Sequence, residues 1–155
     1  LSYAKDGGSI TILNPAPAQP LGENILRLCD FVTPNEIEAE QITGIPVKSV
    51  SDAEVAADKL LEKGASAAVI TLGEQGALFK DSKQIIHQPS FQVGPIVETT
   101  GAGDAFNGGL AVALAEEMPI DKALRFACAT ASISVTRPGT APSMPDRNEI
   151  DTLLT

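Results

Sequence analysis

Asp104 stands directly behind Gly101-Ala102-Gly103 and ahead of the apolar, helix-favouring run Ala105–Ala115. Three small residues let backbone N–H groups come close to an anion, and a helix start adds a favourable dipole. A carboxylate there repels phosphate, so attraction is not its use. It can instead take a proton from a hydroxyl that attacks phosphorus. A structural alternative stands beside this one: Asp104 caps the helix after a glycine turn.

Asn35 and Glu38, three residues apart, are neighbours on one helix face. An amide and a carboxylate beside phosphate can hold hydrated magnesium, which takes few protein ligands and keeps several waters. The same two residues serve equally as an N-cap and a solvated first-turn acid. Thr71-Leu72-Gly73-Glu74-Gln75-Gly76 is a third candidate. It is too short for a Walker-type loop, the chain has no G-x-x-x-x-G-K, and alone it reads as a β-turn. Cys29 and Cys128 lack metal-ligand spacing and read as two buried thiols of a reducing cytoplasm, with a disulfide between them as the lesser alternative. His87, in the alternating stretch Gln84–Gln88, reads as a surface or half-buried strand residue rather than a catalytic one.

Elements must position these groups. Ser9–Leu13 reads as a strand that Asn14-Pro15-Ala16-Pro17 cannot continue. A short helix over Leu21–Cys29 and a brief strand over Asp30–Thr33 follow, the latter stopped by Pro34. Asn35 caps a helix to Ile42 that Thr43-Gly44 closes. Ser51 or Asp52 caps an amphipathic helix with Val55, Ala56, Leu60 and Leu61 on one face and Gly64 at its end. The apolar run Ala67–Leu72 suits a buried parallel strand. Gly73–Gly76 turns it into Ala77–Lys80, and a polar hairpin at Asp81–Lys83 leads to Ile85-Ile86 at an antiparallel edge. Phe91–Val97 then carries the chain to the Asp104 motif. Helices over Gly103–Glu117 and Ile120–Thr136 are split by Met118-Pro119. The proline-rich stretch Arg137–Pro145 is irregular, and Asp146 caps a last helix to Leu154.

Strands alternating with helices predict an α/β layered fold with a largely parallel sheet. Ligands of such sheets sit beyond the carboxyl ends of the strands. The loops after Asp30–Thr33 and after Ala67–Leu72, and the loop before Asp104, are all expected there. That convergence favours the chemical reading of Asp104.

The chain has 155 residues, 43% of them hydrophobic, enough for one globular domain with a real core. A net charge of −9 disfavours nucleic acid and anionic membranes as partners. An anionic substrate must therefore be held locally, by amides, a few cations or a metal. No apolar run is long enough to span a bilayer, and no export signal opens the chain, so a cytoplasmic location is expected. The first residue is Leu, which points to a processed, trimmed or partial sequence.

Taken together these residues resemble the ribokinase-like (PfkB) carbohydrate kinases. The matching segments are Leu13–Ala18 (L-N-P-A-P-A), Thr33–Glu36 with Glu38–Glu40, Ile70–Gly73, Thr99–Phe106 (T-T-G-A-G-D-A-F) and Val135–Ser143. They run along nearly the whole chain. T-G-A-G-D-x-F is specific for the family, whereas N-P-A-P-A and R-P-G-x-x-P-S point to its ribose-phosphorylating branch.

The resemblance implies a three-layer α/β/α sandwich with a mostly parallel central sheet, of which residues 1–155 form only the C-terminal, nucleotide-binding and catalytic half. It implies transfer of the γ-phosphoryl of ATP to the 5-hydroxyl of D-ribose. Asp104 would be the base, with Gly101, Ala102 and Gly103 forming the anion hole. Asn35 would contact the nucleotide phosphates, Thr71, Leu72, Gly73, Glu74, Gln75 and Gly76 would lie against the nucleotide, and Cys128 and Gly101 would border its base. Glu38 would organise Mg2+ through water. A potassium site would map onto Glu98, Thr100, Ser134, Arg137, Gly139 and Ser143, largely through backbone carbonyls. Relatives usually carry Asp at the place of Glu98, which alters the cation geometry. Family members are about twice this length and form homodimers when whole. Their sugar-binding and lid half would be absent here, leaving an exposed edge at Ser9–Leu13 and little turnover by this chain alone. Two competing readings remain: a related kinase acting on fructose, a sugar acid or a nucleoside, and a non-catalytic nucleotide-binding module.

Overall fold

The computed structural model describes every residue except Ala18 and Pro20, with Glu23 described as backbone only. Ala18, the last residue of the Leu13–Ala18 match, therefore lies outside the described residues. The chain divides into two compact units, Leu1–His87 and Gln88–Thr155.

The first unit holds α1 (Ser2–Asp6), β1 (Ile12–Leu13), α2 (Glu23–Leu26), β2 (Phe31–Val32), α3 (Glu36–Thr43), α4 (Val50–Glu62), β3 (Ala67–Thr71) and β4 (Ala77–Asp81). The sheet ends with β5 (Ile85–Gln88). Sheet order follows chain order. β1, β2 and β3 pair in parallel, and β3 pairs antiparallel with β4. The strand expected over Ser9–Leu13 is only two residues long, because parallel pairing sets its extent. Ile12 and Leu13 register with Phe31 and Val32, and Pro34 ends the partner. Just upstream, Thr11 N–H donates to Asp30 Oδ2 at 2.9 Å and Lys5 Nζ lies 3.1 Å from Asp30 Oδ1. Burial pushes the Asp30 carboxyl up, but the Thr11 and Lys5 donors outweigh it and hold it below its ordinary value. The five-residue α1, which buries no side chain, was not signalled by the sequence pattern.

Ser49, not Ser51 or Asp52, caps α4. Its hydroxyl accepts Asp52 N–H at 3.1 Å, while Asp52 sits in the first turn and reaches back to Lys48 N–H. The buried face is Ala53, Ala56, Ala57 and Leu60, at helical spacing. Val55, expected on that face, is 52% exposed, and Leu61 is half-buried. This face packs with Ala39, Ala68, Ile70, Leu72 and Leu78 into one core, while Leu26, Cys29, Val32 and Ala65 form a smaller one.

The second unit is helical: α5 (Ala102–Ala115), α6 (Ile120–Ser134) and α7 (Arg147–Leu154), with a single helical turn at Ala141–Ser143. α5 and α6 approach closely because Gly109 carries no side chain. A Cβ there would lie 2.7 Å from Thr130 Oγ1 and 3.0 Å from Ala127 Cα. Thr130 cannot swing aside cheaply, since its buried hydroxyl donates to Phe126 O at 2.8 Å. Asp146 caps α7 through a reciprocal pair with Glu149, as the sequence predicts. The segment ahead of Asp104 is irregular, not a strand, so that turn is not built on a strand end.

Candidate functional site

In the first unit, the loops after β2 and β3 lie side by side. Thr71 N–H donates to Pro34 O at 3.0 Å, and Asn35 bridges Thr71 in parallel register. Both loops leave the carboxyl ends of parallel strands, the position expected for ligand contacts. Asn35 Oδ1 accepts Glu38 N–H at 2.9 Å, and Glu38 Oε2 accepts Asn35 N–H at 2.9 Å. The capping role proposed for this pair is therefore realised, and Glu38 is buried rather than solvated. Asn35 Nδ2 and Glu38 Oε1 stand outside the cap. Among the described residues, no three or more His, Cys, Asp or Glu side chains gather into a metal cluster. A lone carboxylate oxygen suits magnesium held through its water shell, not a protein cage.

The Thr71–Gly76 loop is a tight turn. Leu72 N–H donates to Gly76 O at 2.8 Å and Gln75 N–H to Leu72 O at 2.9 Å. Gly76, at φ 91° and ψ −126°, occupies a conformation closed to other residues. Leu72 is buried, while Gly73, Glu74 and Gln75 are exposed. His87 Nε2 lies 2.7 Å from Gln75 O and so restrains the loop. Its exposure was legible from the alternating pattern. Its partner was not, being a backbone carbonyl twelve residues earlier.

In the second unit, Gly101 is the N-cap of α5 in the left-handed conformation, φ 84°, with no side-chain cap. Asp104 is therefore not the cap; it sits on the first turn with its side chain exposed. Ala102 N–H donates to Thr99 O at 3.1 Å, and the first helical bond runs from Ala105 N–H to Gly101 O at 2.9 Å. Among the described residues, the Gly103 and Asp104 amides between them meet no carbonyl. The donors left open are thus Gly103 and Asp104, whereas Ala102, expected in the anion hole, is engaged in the turn. Beside Asp104 opens a cavity of about 330 Å³, lined in part by Ala105, Gly108, Phe126, Met144 and Ile150.

The residues assigned to a potassium site lie around the same turn. Glu98 Oε2 accepts Gly139 N–H at 2.7 Å. That amide, and next the Thr100 hydroxyl, hold the Glu98 carboxyl below its ordinary value. Ser134 Oγ donates to Ala131 O and Ser143 Oγ to Thr140 O, both within local turns. The Arg137 guanidinium pairs with Glu149 across two nitrogens. The Ser134, Ser143 and Arg137 side chains thus donate to protein acceptors, while Glu98 Oε1, the two hydroxyl oxygens and the backbone carbonyls keep lone pairs that a cation could use. Cys128 is buried on α6, its Sγ 3.8 Å from Gln88 O, and burial pushes its thiol up to about 12. It is chemically inert and presents almost no surface.

Residues 1–147 match the family described as pfkB family carbohydrate kinase. Ribokinase of Haemophilus influenzae is 45% identical over 148 residues, covering 94% of this chain and 47% of that protein. Deoxyribokinase of Salmonella typhimurium is 37% identical over 155 residues, covering 99% of this chain and 50% of that protein. The structure of Arabidopsis thaliana ribokinase complexed with ribose and ATP superposes at a TM-score of 0.95 with 33% identity, covering 99% of this chain and 50% of that one. The fold is accordingly ribokinase-like α/β. The chain spans about half the length of the curated relatives it matches.

Proposed function

This chain belongs to the pfkB family of carbohydrate kinases, and on that premise we propose that it supplies the nucleotide-binding and catalytic-base half of an ATP-dependent ribokinase. One observation carries the reading: the uncapped start of α5, with Asp104 exposed beside the open Gly103 and Asp104 amides. Phosphoryl transfer asks the protein mainly for positioning and fixed charge. The two amides are oriented before reaction by the Gly101 turn, so they stabilise charge on the phosphoryl oxygens without reorganising. Asp104 accepts the proton of the attacking sugar hydroxyl as the oxygen–phosphorus bond forms. Bound magnesium would supply positive charge against the phosphates; Glu38 Oε1 would orient its waters and Asn35 Nδ2 would donate to a phosphate oxygen.

The Arabidopsis ribokinase complexed with ribose and ATP supports ATP and ribose as the substrates of the whole enzyme. The Salmonella deoxyribokinase keeps 2-deoxyribose as a second reading. Both share a primary hydroxyl, so the chemistry assigned to Asp104 is the same. We extend the proposal to a cytoplasmic location, to potassium held by backbone carbonyls around residues 98–100 and 134–143, and to a homodimeric whole enzyme. Among the described residues no helix is long and apolar enough to cross a membrane.

Calorimetry with Mg·ATP on the purified chain, together with ribose and 2-deoxyribose kinase assays on the chain and on the full-length kinase carrying it, tests this. Weak nucleotide binding with negligible turnover by the chain, and ribose turnover by the full-length enzyme, are expected. Turnover by the chain alone at the full-length rate would refute the division of labour. Absence of any nucleotide binding would refute the site.

A further inference from the structure

We propose that Glu98 is a positioning residue, whose carboxylate clasps the Gly139 amide and thereby holds the Gly101–Gly103 turn in its anion-accepting shape. The turn has one backbone bond of its own, Ala102 N–H to Thr99 O at 3.1 Å. Gly101 has φ 84° and α5 has no side-chain cap, so the entry angle into the helix must come from elsewhere. Glu98 Oε2 accepts Gly139 N–H at 2.7 Å from 41 residues away. The backbone of the same strip is tied as well: Val97 and Glu98 N–H both donate to Val135 O, at 2.8 and 3.2 Å. Next to the clasped amide, Thr140 packs on the turn. A Cβ on Gly101 would lie 3.3 Å from Thr140 Cβ and Cγ2. A continuous contact therefore runs from the Glu98 carboxylate through Gly139 and Thr140 to Gly101.

Glu98 reaches Gly139 with one oxygen only, and a carboxylate offers about four lone-pair sites, so Oε1 stays open to a further donor or a cation while Oε2 holds the clasp.

The site it shapes rests on the function proposed above, so the test separates the two. Amide hydrogen exchange of residues 100–104 and 137–140 is followed in the wild-type chain, Glu98→Ala, Glu98→Gln and Glu98→Asp, in potassium chloride and in choline chloride. Tenfold or faster exchange in both segments is expected for Glu98→Ala and for Glu98→Asp, which is one methylene too short to reach. Near-wild-type exchange is expected for Glu98→Gln, whose carbonyl still accepts from Gly139, and little dependence on potassium is expected in the wild type. Mg·ATP affinity should fall tenfold in Glu98→Ala and recover in Glu98→Gln without a matching change in melting temperature. Should Glu98→Ala not fold, Glu98→Asp and Glu98→Gln carry the test. Unchanged exchange in Glu98→Ala and Glu98→Asp, or protection that follows potassium instead of the side chain, overturns the clasp. A wild-type chain that binds no nucleotide but shows the exchange pattern refutes the function and leaves the clasp standing.

Discussion

Two helix starts in this chain were candidates for the same job, and the structure treats them in opposite ways. The start of α3 is closed: Asn35 and Glu38 satisfy one another's backbone amides in a capping box, and the glutamate is buried. The start of α5 is open: a left-handed glycine enters it, no side chain caps it, and its first-turn aspartate stays exposed. Closing a helix start with side chains gains stability and leaves fewer donors for a ligand. Leaving it open forgoes that stability and keeps backbone donors for an anion. The first is a structural solution with two atoms to spare; the second leaves two amides free for the proposed anion, in a turn that the proposed Glu98 clasp would hold in shape.

The largest expected effect breaks the comparison at its chemical end. Asp104→Asn in the full-length kinase should slow ribose phosphorylation by about 10²–10⁴-fold, the contribution of a general base. Mg·ATP affinity of the chain should stay within about twofold, because in the proposed role the lost group acts on the sugar. Equal losses in rate and nucleotide affinity would make Asp104 a binding residue instead. Next comes Gly101→Ala, which forces a side chain into φ 84° against Thr140. Denaturant unfolding should register a loss of about 1–2 kcal/mol. Asn35→Ala should follow at about 1 kcal/mol, the worth of a helix cap. Asp104→Asn should cost under about 0.5 kcal/mol in the same assay, as exposed substitutions do. If Asp104 proves the more costly of the two, the assignment of closed and open ends is reversed.

The smallest effect is a pH dependence. Glu98 is held below its ordinary value by the Gly139 amide and then the Thr100 hydroxyl, and Glu149 by the Arg137 guanidinium and then the Asp146 amide. A lowered folded pKa means these contacts contribute fully above the unfolded value of about 4.3 and lose their contribution as pH falls through the folded value. Exchange at residues 137–140 should therefore be flat, after correction for intrinsic chemistry, from pH 7 to about 5, and should quicken below about 4. Quickening between pH 6 and 7 would point to a different group.

Much of this was legible without the fold. The Asn35–Glu38 spacing, Asp146 as the cap of the last helix, Pro34 ending a strand and glycine at 44 closing α3 all act within one helical turn. The buried run over Ala67–Thr71 announced its strand for the same reason, since its composition fits no exposed position. The reading failed where a choice depended on a distant partner. Ser49 competes with Ser51 and Asp52 as a cap, and packing of Ala53, Ala56 and Leu60 decides the helix phase, sending Val55 outward. β1 shrank to two residues because β2 is no longer.

For the site, the sequence alone determined which groups exist and how they are phased locally: a glycine that can enter the left-handed region, a carboxylate one turn into a helix, and a capping pair on another. These follow from torsional preference and bonds spanning four residues or fewer. Tertiary structure decided which amides stay open, that Ala102 turns back to Thr99, and that His87 reaches Gln75. It also decided that Glu98 finds Gly139 across 41 residues. Such contacts depend on where the folded backbone brings distant segments, and no local pattern encodes that distance.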